Sequence, residues 1–344
     1  MAVSGDLSIR ERLINLAGSL YLLAQKKTNS PRRSGVIIVN YHQISGPSFR
    51  RHLDYLRRHY QILSPQAFLD WLDDKSMIDR PSVVFTFDDG YLSFYKEIYP
   101  ILVATETPVL VFVSTGFVGK KRYFWADELR VGLEKASNEA IIVDDKWFYL
   151  YPRLYRSDFY GRLLKYLCSL DEESRIGACK QIFSQLDVDS PDDDMKAYRF
   201  LNWEQILEMD KSGLVAFGSH TVNHPNLTSL SCDGVRFEVR ESKRILEDCL
   251  GKGVLAFAYP YGGREFFDNR IISELQRAGY ACAFTTIQGG TGNRKENSFR
   301  LKRVMLFDYQ NRGALALKLD RFSGSSRCGI CPGLAMDRGD KSLR

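Results

Sequence analysis

The chain has 344 residues, 44% of them apolar and 26% charged, with a net charge of +6. That profile suits a soluble globular protein with one large α/β domain or two ordinary ones. The basic excess sits at the two ends: residues 1–34 hold six basic and two acidic side chains and residues 321–344 hold five and two. The body is therefore close to neutral, which argues against a nucleic-acid-binding core.

At the N-terminus, the apolar run from Leu13 to Ala24 is too short to span a bilayer, is interrupted by Asn15, Gly18 and Ser19, and is no clear secretory signal. Leu13, Leu16, Ala17, Leu20, Leu23 and Ala24 share a helical face, and Ser8 with Glu11 forms a capping box. Lys26, Lys27, Arg32 and Arg33 follow. Two placements are open: a helix docked on the domain, which the weakly basic polar face favours, or peripheral contact with an anionic membrane. The expected location is correspondingly cytoplasmic or peripherally membrane-associated.

Beyond residue 34, strand and helix patterns alternate. Strands are predicted at Val36–Asn40, Val83–Phe87, Val109–Ser114, Leu214–Gly218, Val254–Ala258, Ala281–Thr285 and Val304–Phe307. Helices are predicted at Phe49–Tyr60, Pro65–Leu72, Ser93–Thr105, Trp203–Ser212, Gly234–Leu250 and Asp268–Ala278. This alternation implies an α/β fold with a parallel sheet closed as a (β/α) barrel. Residues 116–200 break the rhythm, with a hairpin over 141–150 turning at Asp144-Asp145 and helices over 157–170 and 172–186. The organisation expected is 1–34 as a basic amphipathic helix region, 35–115 and 201–322 as the barrel, 116–200 as an inserted cap, and 323–344 as a disordered tail. The aromatics Tyr123, Phe124, Trp125, Trp147, Phe148, Tyr149 and Tyr151 of the insertion suit a small core better than sugar stacking. Seven cysteines, an odd number without framework spacing, do not suggest a disulfide scaffold, and Cys328-Gly-Ile-Cys331 lacks the further ligands of a zinc site.

Polar clusters follow directly on four of the strands. Asp88-Asp89-Gly90 ends Phe85-Thr-Phe, His42 ends Val36–Val39, Phe257-Ala-Tyr-Pro-Tyr-Gly-Gly263 ends another, and Gly218-Ser-His-Thr-Val-Asn-His224 carries two of the five histidines. Strand C-termini of a parallel barrel converge on one face, so these clusters should meet. The HxxxH spacing sets two imidazoles on one side of a helical turn. Two histidines and a carboxylate make a three-ligand metal site with open positions. Of two adjacent aspartates, one can bind metal while the other serves as base toward an activated water. A backbone N–H would hold the oxyanion and a histidine would protonate the leaving group.

Thr86-Phe-Asp-Asp-Gly90, His220-Thr-Val-Asn-His224 and Tyr259-Pro-Tyr-Gly262 together resemble the polysaccharide deacetylases, carbohydrate esterase family 4, also called the NodB homology domain. Asn40-Tyr-His42 and the Phe49–Leu72 stretch resemble the Tyr-His subgroup that acts on poly-N-acetylglucosamine exopolysaccharide. The resemblance covers roughly 36–115 and 202–307. It implies a distorted (β/α) barrel and hydrolysis of an N-acetyl group from an amino-sugar glycan of the exopolysaccharide or cell-envelope kind. It also implies a divalent metal, usually Zn2+, with Co2+ or Ni2+ as alternatives. By position, Asp88 would be the base, Asp89, His220 and His224 the metal ligands, and Tyr261 the backbone oxyanion donor. Arg303 would orient the base, with Arg300 as a competitor. Two departures are visible: no arginine precedes Pro260 in Phe257-Ala-Tyr-Pro, and no histidine follows His224 to supply a late catalytic acid. His42 is the expected substitute. His52 and His59, among Arg50, Arg51, Arg57 and Arg58, are expected on the surface. The alternatives are an O-acetyl polysaccharide esterase and a catalytically weak glycan-binding barrel.

Overall fold

Period-two alternation in the strands decides what faces the middle of this molecule. The computed structural model describes residues 7–25, 35–136, 140–143, 145–149, 156–186, 194–291 and 298–322. Lys26, Lys27, Arg32, Arg33, Asp144, Tyr151 and the tail from 323 with Cys328 and Cys331 lie outside the described residues. Seven parallel strands close into a barrel. They are β1 (Gly35–Tyr41), β3 (Pro81–Phe87), β4 (Val109–Val113), β7 (Val215–Ser219), β8 (Ala256–Ala258), β9 (Cys282–Gln288) and β10 (Leu301–Met305). The order runs β1-β10-β9-β8-β7-β4-β3 and returns to β1, with a two-residue β2 (Gln61–Ile62) on the outer edge of β3. The closed α/β barrel expected from the alternation is what forms.

Side chains on one face of the strands form a single apolar interior: Val36 and Ile38, Val84, Leu110 and Phe112, Ala256 and Ala258, Phe284, and Leu301. The intervening residues, such as Ile37, Val39, Phe85, Phe87, Val111 and Phe217, face the surrounding helices. Toward the strand C-termini the inward positions turn polar. Ile38 is followed by Asn40 and His42, Val84 by Thr86 and Asp88, and Leu301 by Arg303. Gly218 is the inward residue where Phe112 leaves no space; a Cβ there would fall 2.6 Å from the Phe112 ring.

The helices are α2 (Gly46–His59), α3 (Pro65–Leu72), α4 (Tyr99–Thr105), α8 (Trp203–Lys211), α9 (Cys232–Leu250), α10 (Asn269–Arg277) and α11 (Arg312–Phe322). Caps start several of them: Ser64 accepts from Ala67, Asn202 and Gln205 form a capping box, and Ser231 and Asp268 cap α9 and α10. His52 departs from expectation. It is fully buried, because helical spacing aligns it with Phe49, Leu53 and Leu56 rather than with the arginines. Its Nε2 lies 2.9 Å from the Gln310 carbonyl and its Nδ1 3.2 Å from the Tyr41 hydroxyl. Burial lowers its pKa, so it packs as a neutral ring. His59 is exposed.

Between β4 and α8 the chain forms α5 (Trp125–Lys135), the hairpin β5 (Ala140–Val143) and β6 (Lys146–Tyr149), α6 (Arg156–Ser169) and α7 (Glu172–Leu186). These share their own core of Leu129, Leu133, Ile141, Leu163, Leu167 and Ile182. Helix α5 was not anticipated from the sequence. The aromatics divide: Phe148 and Trp125 pack against that core and Phe124 is buried with Tyr91, Phe117 and Phe200, whereas Trp147 and Tyr149 are 63% and 68% exposed. The small-core reading therefore does not hold for that last pair.

The N-terminal helix α1 (Ile9–Gln25) lies along α11. Gly18 and Gly313 let the two backbones touch, since a Cβ on either would overlap the other helix. Asn15 donates to the Tyr309 carbonyl at 2.8 Å, and Tyr21 donates to Asp320 at 2.9 Å. The Ser8–Glu11 capping box is present.

Candidate active site

Each expected site residue stands at the C-terminal rim of the barrel, and the local backbone explains how. Among the described residues seven non-glycine positions have positive φ, and four of them, Asp89, Thr221, His224 and Tyr261, belong to these rim loops. Such conformations cost about 1–3 kcal/mol each and persist where surrounding contacts impose them. Asp88 continues β3, its N–H donating to the Tyr41 carbonyl at 2.9 Å. The chain then turns left-handed at Asp89 and Gly90, with φ of 75° and 77°, so the two adjacent carboxylates point into different surroundings.

Asp88 faces the barrel axis. Arg303 grips it with two bonds, Nη1 to Oδ1 and Nη2 to Oδ2, both 2.7 Å. The guanidinium is fully buried and also donates to Thr285 O at 2.8 Å and Asn40 Oδ1 at 3.0 Å. It lies above the Phe112 and Phe284 rings. Asn40 Nδ2 adds a third bond to Asp88 Oδ2 at 3.0 Å. Burial alone would raise the Asp88 pKa, but Arg303, then His42 and His220, hold it well below the usual carboxylate range. Arg300 is not the partner: it is exposed and donates to Asn269 at 2.6 Å. β10 begins at Leu301, three residues before the expected strand start, and that register turns Arg303 inward. His42 Nε2 is 3.8 Å from Asp88 Oδ2, with its side chain 38% exposed at the rim.

Asp89 faces the histidine pair. Its Oδ1 lies 3.4 Å from His220 Nε2 and 3.7 Å from His224 Nε2, and the three ligand atoms fall within 4.8 Å of one another. Bonds of 2.0–2.2 Å at tetrahedral angles give ligand–ligand separations of about 3.4 Å, so the trio fits one small divalent ion. His220 Nδ1 lies 2.8 Å from the Ala258 carbonyl. Donating there fixes the tautomer that leaves Nε2 as the ligand atom. The two histidine pKa values move apart. Burial works against charge on both, but Asp89 and Asp88 raise that of His220, whereas burial and the neighbouring His220 bring His224 down to about 3.

The HxxxH segment is not a helical turn, contrary to the expectation from its spacing. His220 extends β7, its N–H donating to Val113 O at 3.0 Å, and residues 221–224 form a loop. That loop is held by Glu238 of α9, a buried carboxylate absent from the sequence reading. Its Oε2 accepts from the N–H groups of Val222 and Asn223 at 2.8 and 2.9 Å, and its Oε1 accepts from Asn223 Nδ2 at 2.8 Å. Nothing local in sequence marks it, because it lies on the next helix.

Tyr261, with φ of 60°, sets its ring 5.0 Å from His224. Its carbonyl accepts from Thr286 Oγ1 at 2.7 Å. The segment between β4 and α8 supplies the opposite wall. Phe124 stacks on His224 at 4.3 Å, and Trp125 Nε1 donates to the Tyr261 hydroxyl at 3.1 Å. Asp127 accepts from the Tyr91 hydroxyl at 2.6 Å; burial, opposed by that bond and aided by Asp89, pushes its carboxyl up to about 7.

A sequence model described as polysaccharide deacetylase matches residues 75–283, a span that includes Asp88, Asp89, His220, His224 and Tyr261 but neither His42 nor Arg303. YxkH of Bacillus subtilis (strain 168), which bears the polysaccharide deacetylase name, is 20% identical over 288 residues, covering 81% of this chain and 73% of that protein. Among solved structures, IcaB from Ammonifex degensii superposes with a TM-score of 0.56 at 20% identity over 85% of this chain and 98% of that one. The Streptococcus pyogenes deacetylase PplD, solved with acetate, gives 0.54 at 18% identity over 84% and 99%. These structural likenesses bear on the fold.

Proposed function

We propose that this chain, which belongs to the polysaccharide deacetylase family, removes N-acetyl groups from an amino-sugar glycan of exopolysaccharide or cell-envelope type, using a divalent metal. One observation carries the reading: a bidentately held aspartate and an Asp-His-His trio stand side by side at one barrel rim. Asp89, His220 and His224 would hold the ion. Two nitrogens and one oxygen suit Zn2+, with Co2+ or Ni2+ as alternatives. Bound there, the ion supplies Lewis acidity toward the acyl oxygen and lowers the pKa of water toward about 7.

The protein's own groups then have distinct tasks. Asp88, kept ionised and aimed by Arg303 and Asn40, takes the proton from the attacking water. The Tyr261 N–H stabilises the oxyanion as the carbonyl carbon becomes tetrahedral. His42, within reach of both carboxylates' fields, gives a proton to the amine nitrogen as the C–N bond breaks, leaving acetate and a free amine. Phe124, Trp125 and Tyr261 exclude water from one side of the site.

The test is acetate release from N-acetylated chitooligosaccharides and, in parallel, from acetylated xylan. Release from the first supports N-deacetylation. Release from xylan alone would assign the site to esters, and release from neither, with metal bound, would leave a glycan-binding barrel. Glu238 offers a second measurement. Glu238→Ala removes the acceptor of the Val222 and Asn223 N–H groups between the histidines and is expected to weaken zinc binding by about 10–100-fold, read by competition with a chromophoric chelator. Undiminished affinity in the folded variant would show that the loop keeps its shape unaided.

A further inference from the structure

Helix α1 has two apolar faces, and among the described residues only one is packed. Ala17, Gly18, Tyr21 and Leu22 turn toward α11 and the barrel helices, and the close approach at Gly18 makes that docking specific. The other face carries Ile9, Leu13, Leu16, Leu20 and Leu23, which are 78%, 53%, 57%, 59% and 62% exposed. Their spacing of four, three, four and three residues makes one continuous stripe. Single exposed apolar side chains need no explanation, but five in line do.

The charges around the stripe are basic. Arg10 and Arg12 are exposed beside its first turns. The groove next to Leu23 is lined by Arg51 and Arg312 together with Ser19 and Leu22. In sequence, Lys26, Lys27, Arg32 and Arg33 follow the helix. A second copy packed on the same stripe would bring basic side chains such as Arg10 and Arg12 toward one another. An anionic lipid surface meets them with opposite charge while taking up the leucines. No helix among the described residues is long and apolar enough to cross a membrane, so the contact is one of lying on the surface.

We propose that the outer face of α1 docks the protein peripherally on anionic lipid bilayers, with Leu13, Leu16, Leu20 and Leu23 entering the headgroup boundary and Arg10, Arg12, Arg51 and Arg312 facing lipid phosphates. The proposal is independent of the chemistry assigned to the barrel rim.

Flotation of the full chain with extruded vesicles tests it, comparing phosphatidylcholine alone with phosphatidylcholine containing phosphatidylglycerol. The wild type is expected to float with the anionic vesicles and less with the neutral ones. Raising the salt should weaken binding. Leu16→Ser/Leu20→Ser, at two exposed positions, should keep the thermal midpoint yet lose on the order of tenfold or more in vesicle affinity. Three results would overturn the proposal: a wild type that stays in the lipid-free fraction at low salt, equal flotation of the variant, or a lipid-indifferent dimer that the same variant dissociates.

Discussion

Asp89→Asn is expected to strip the protein of its divalent ion and to reduce acetate release by about a thousandfold or more. The physical case rests on what the trio lacks without its carboxylate. As ligands His220 and His224 would be uncharged, so Asp89 would supply the only negative charge of the proposed set. Two imidazoles alone fall short of the three protein ligands a catalytic zinc site requires. The Lewis acidity lost with the ion accounts for several kcal/mol of barrier, and each 1.36 kcal/mol is about tenfold. Asparagine is the informative replacement, because it tolerates the φ of 75° at this position better than most non-glycine residues do. Alanine adds a backbone penalty that would blur the result. Elemental analysis of wild type and variant purified side by side provides the reading: about one ion per chain against strong loss. Equal metal content in the two proteins would remove Asp89 from the ligand set, whatever happened to activity.

Arg303→Met is expected to be the most destabilising single change in the rim, at about 3–5 kcal/mol. It leaves Asp88 buried with its countercharge gone, and deprives Asn40, Thr86 and Thr285 of a shared donor. The sign with pH follows from the depressed Asp88 pKa. Stability from this pair is fully present above the ordinary aspartate value of 3.8 and is lost as pH falls below it. In the variant, burial acts unopposed by the arginine, so the Asp88 carboxyl should hold its proton to higher pH and the acid limb of kcat/KM should move upward. Chemical denaturation at neutral pH gives the stability term and a pH–rate profile the second. The double variant Asp88→Asn/Arg303→Met should recover part of the lost stability, because no uncompensated charge stays buried. An acid limb that does not move in Arg303→Met would show that Asp88 is not the group titrating in the rate.

Much of the site was legible because strand ends are local features. The doubled aspartate after Val83–Phe87, the histidine after Val36–Val39 and the HxxxH after Leu214–Gly218 each follow a short, largely apolar run. Parallel closure forces such ends onto one face. The helical spacing of His52 from Phe49 and Leu56 marks it as core, although Arg50, Arg51, Arg57 and Arg58 give the segment a surface composition. Arg303 and Arg300 could not be separated from sequence alone. They differ only in register, and the register of β10 follows from its pairing with β1 and β9. The loop form of residues 221–224 was equally out of reach, because Glu238 on a later helix accepts from the loop N–H groups that a helical turn would have engaged.

What the sequence by itself determined is the inventory and its coarse placement: a barrel of alternating strands and helices, with carboxylates and imidazoles at the strand ends. Those follow from alternation, spacing and chain-adjacent chemistry, which act over a few residues. What only the tertiary structure decided is which groups share a bond. Asp88 with Arg303, Asp89 between His220 and His224, Glu238 under the histidine loop, and Trp125 on Tyr261 all join residues distant along the chain. Their geometry arises when closure of the barrel sets the register of every strand at once.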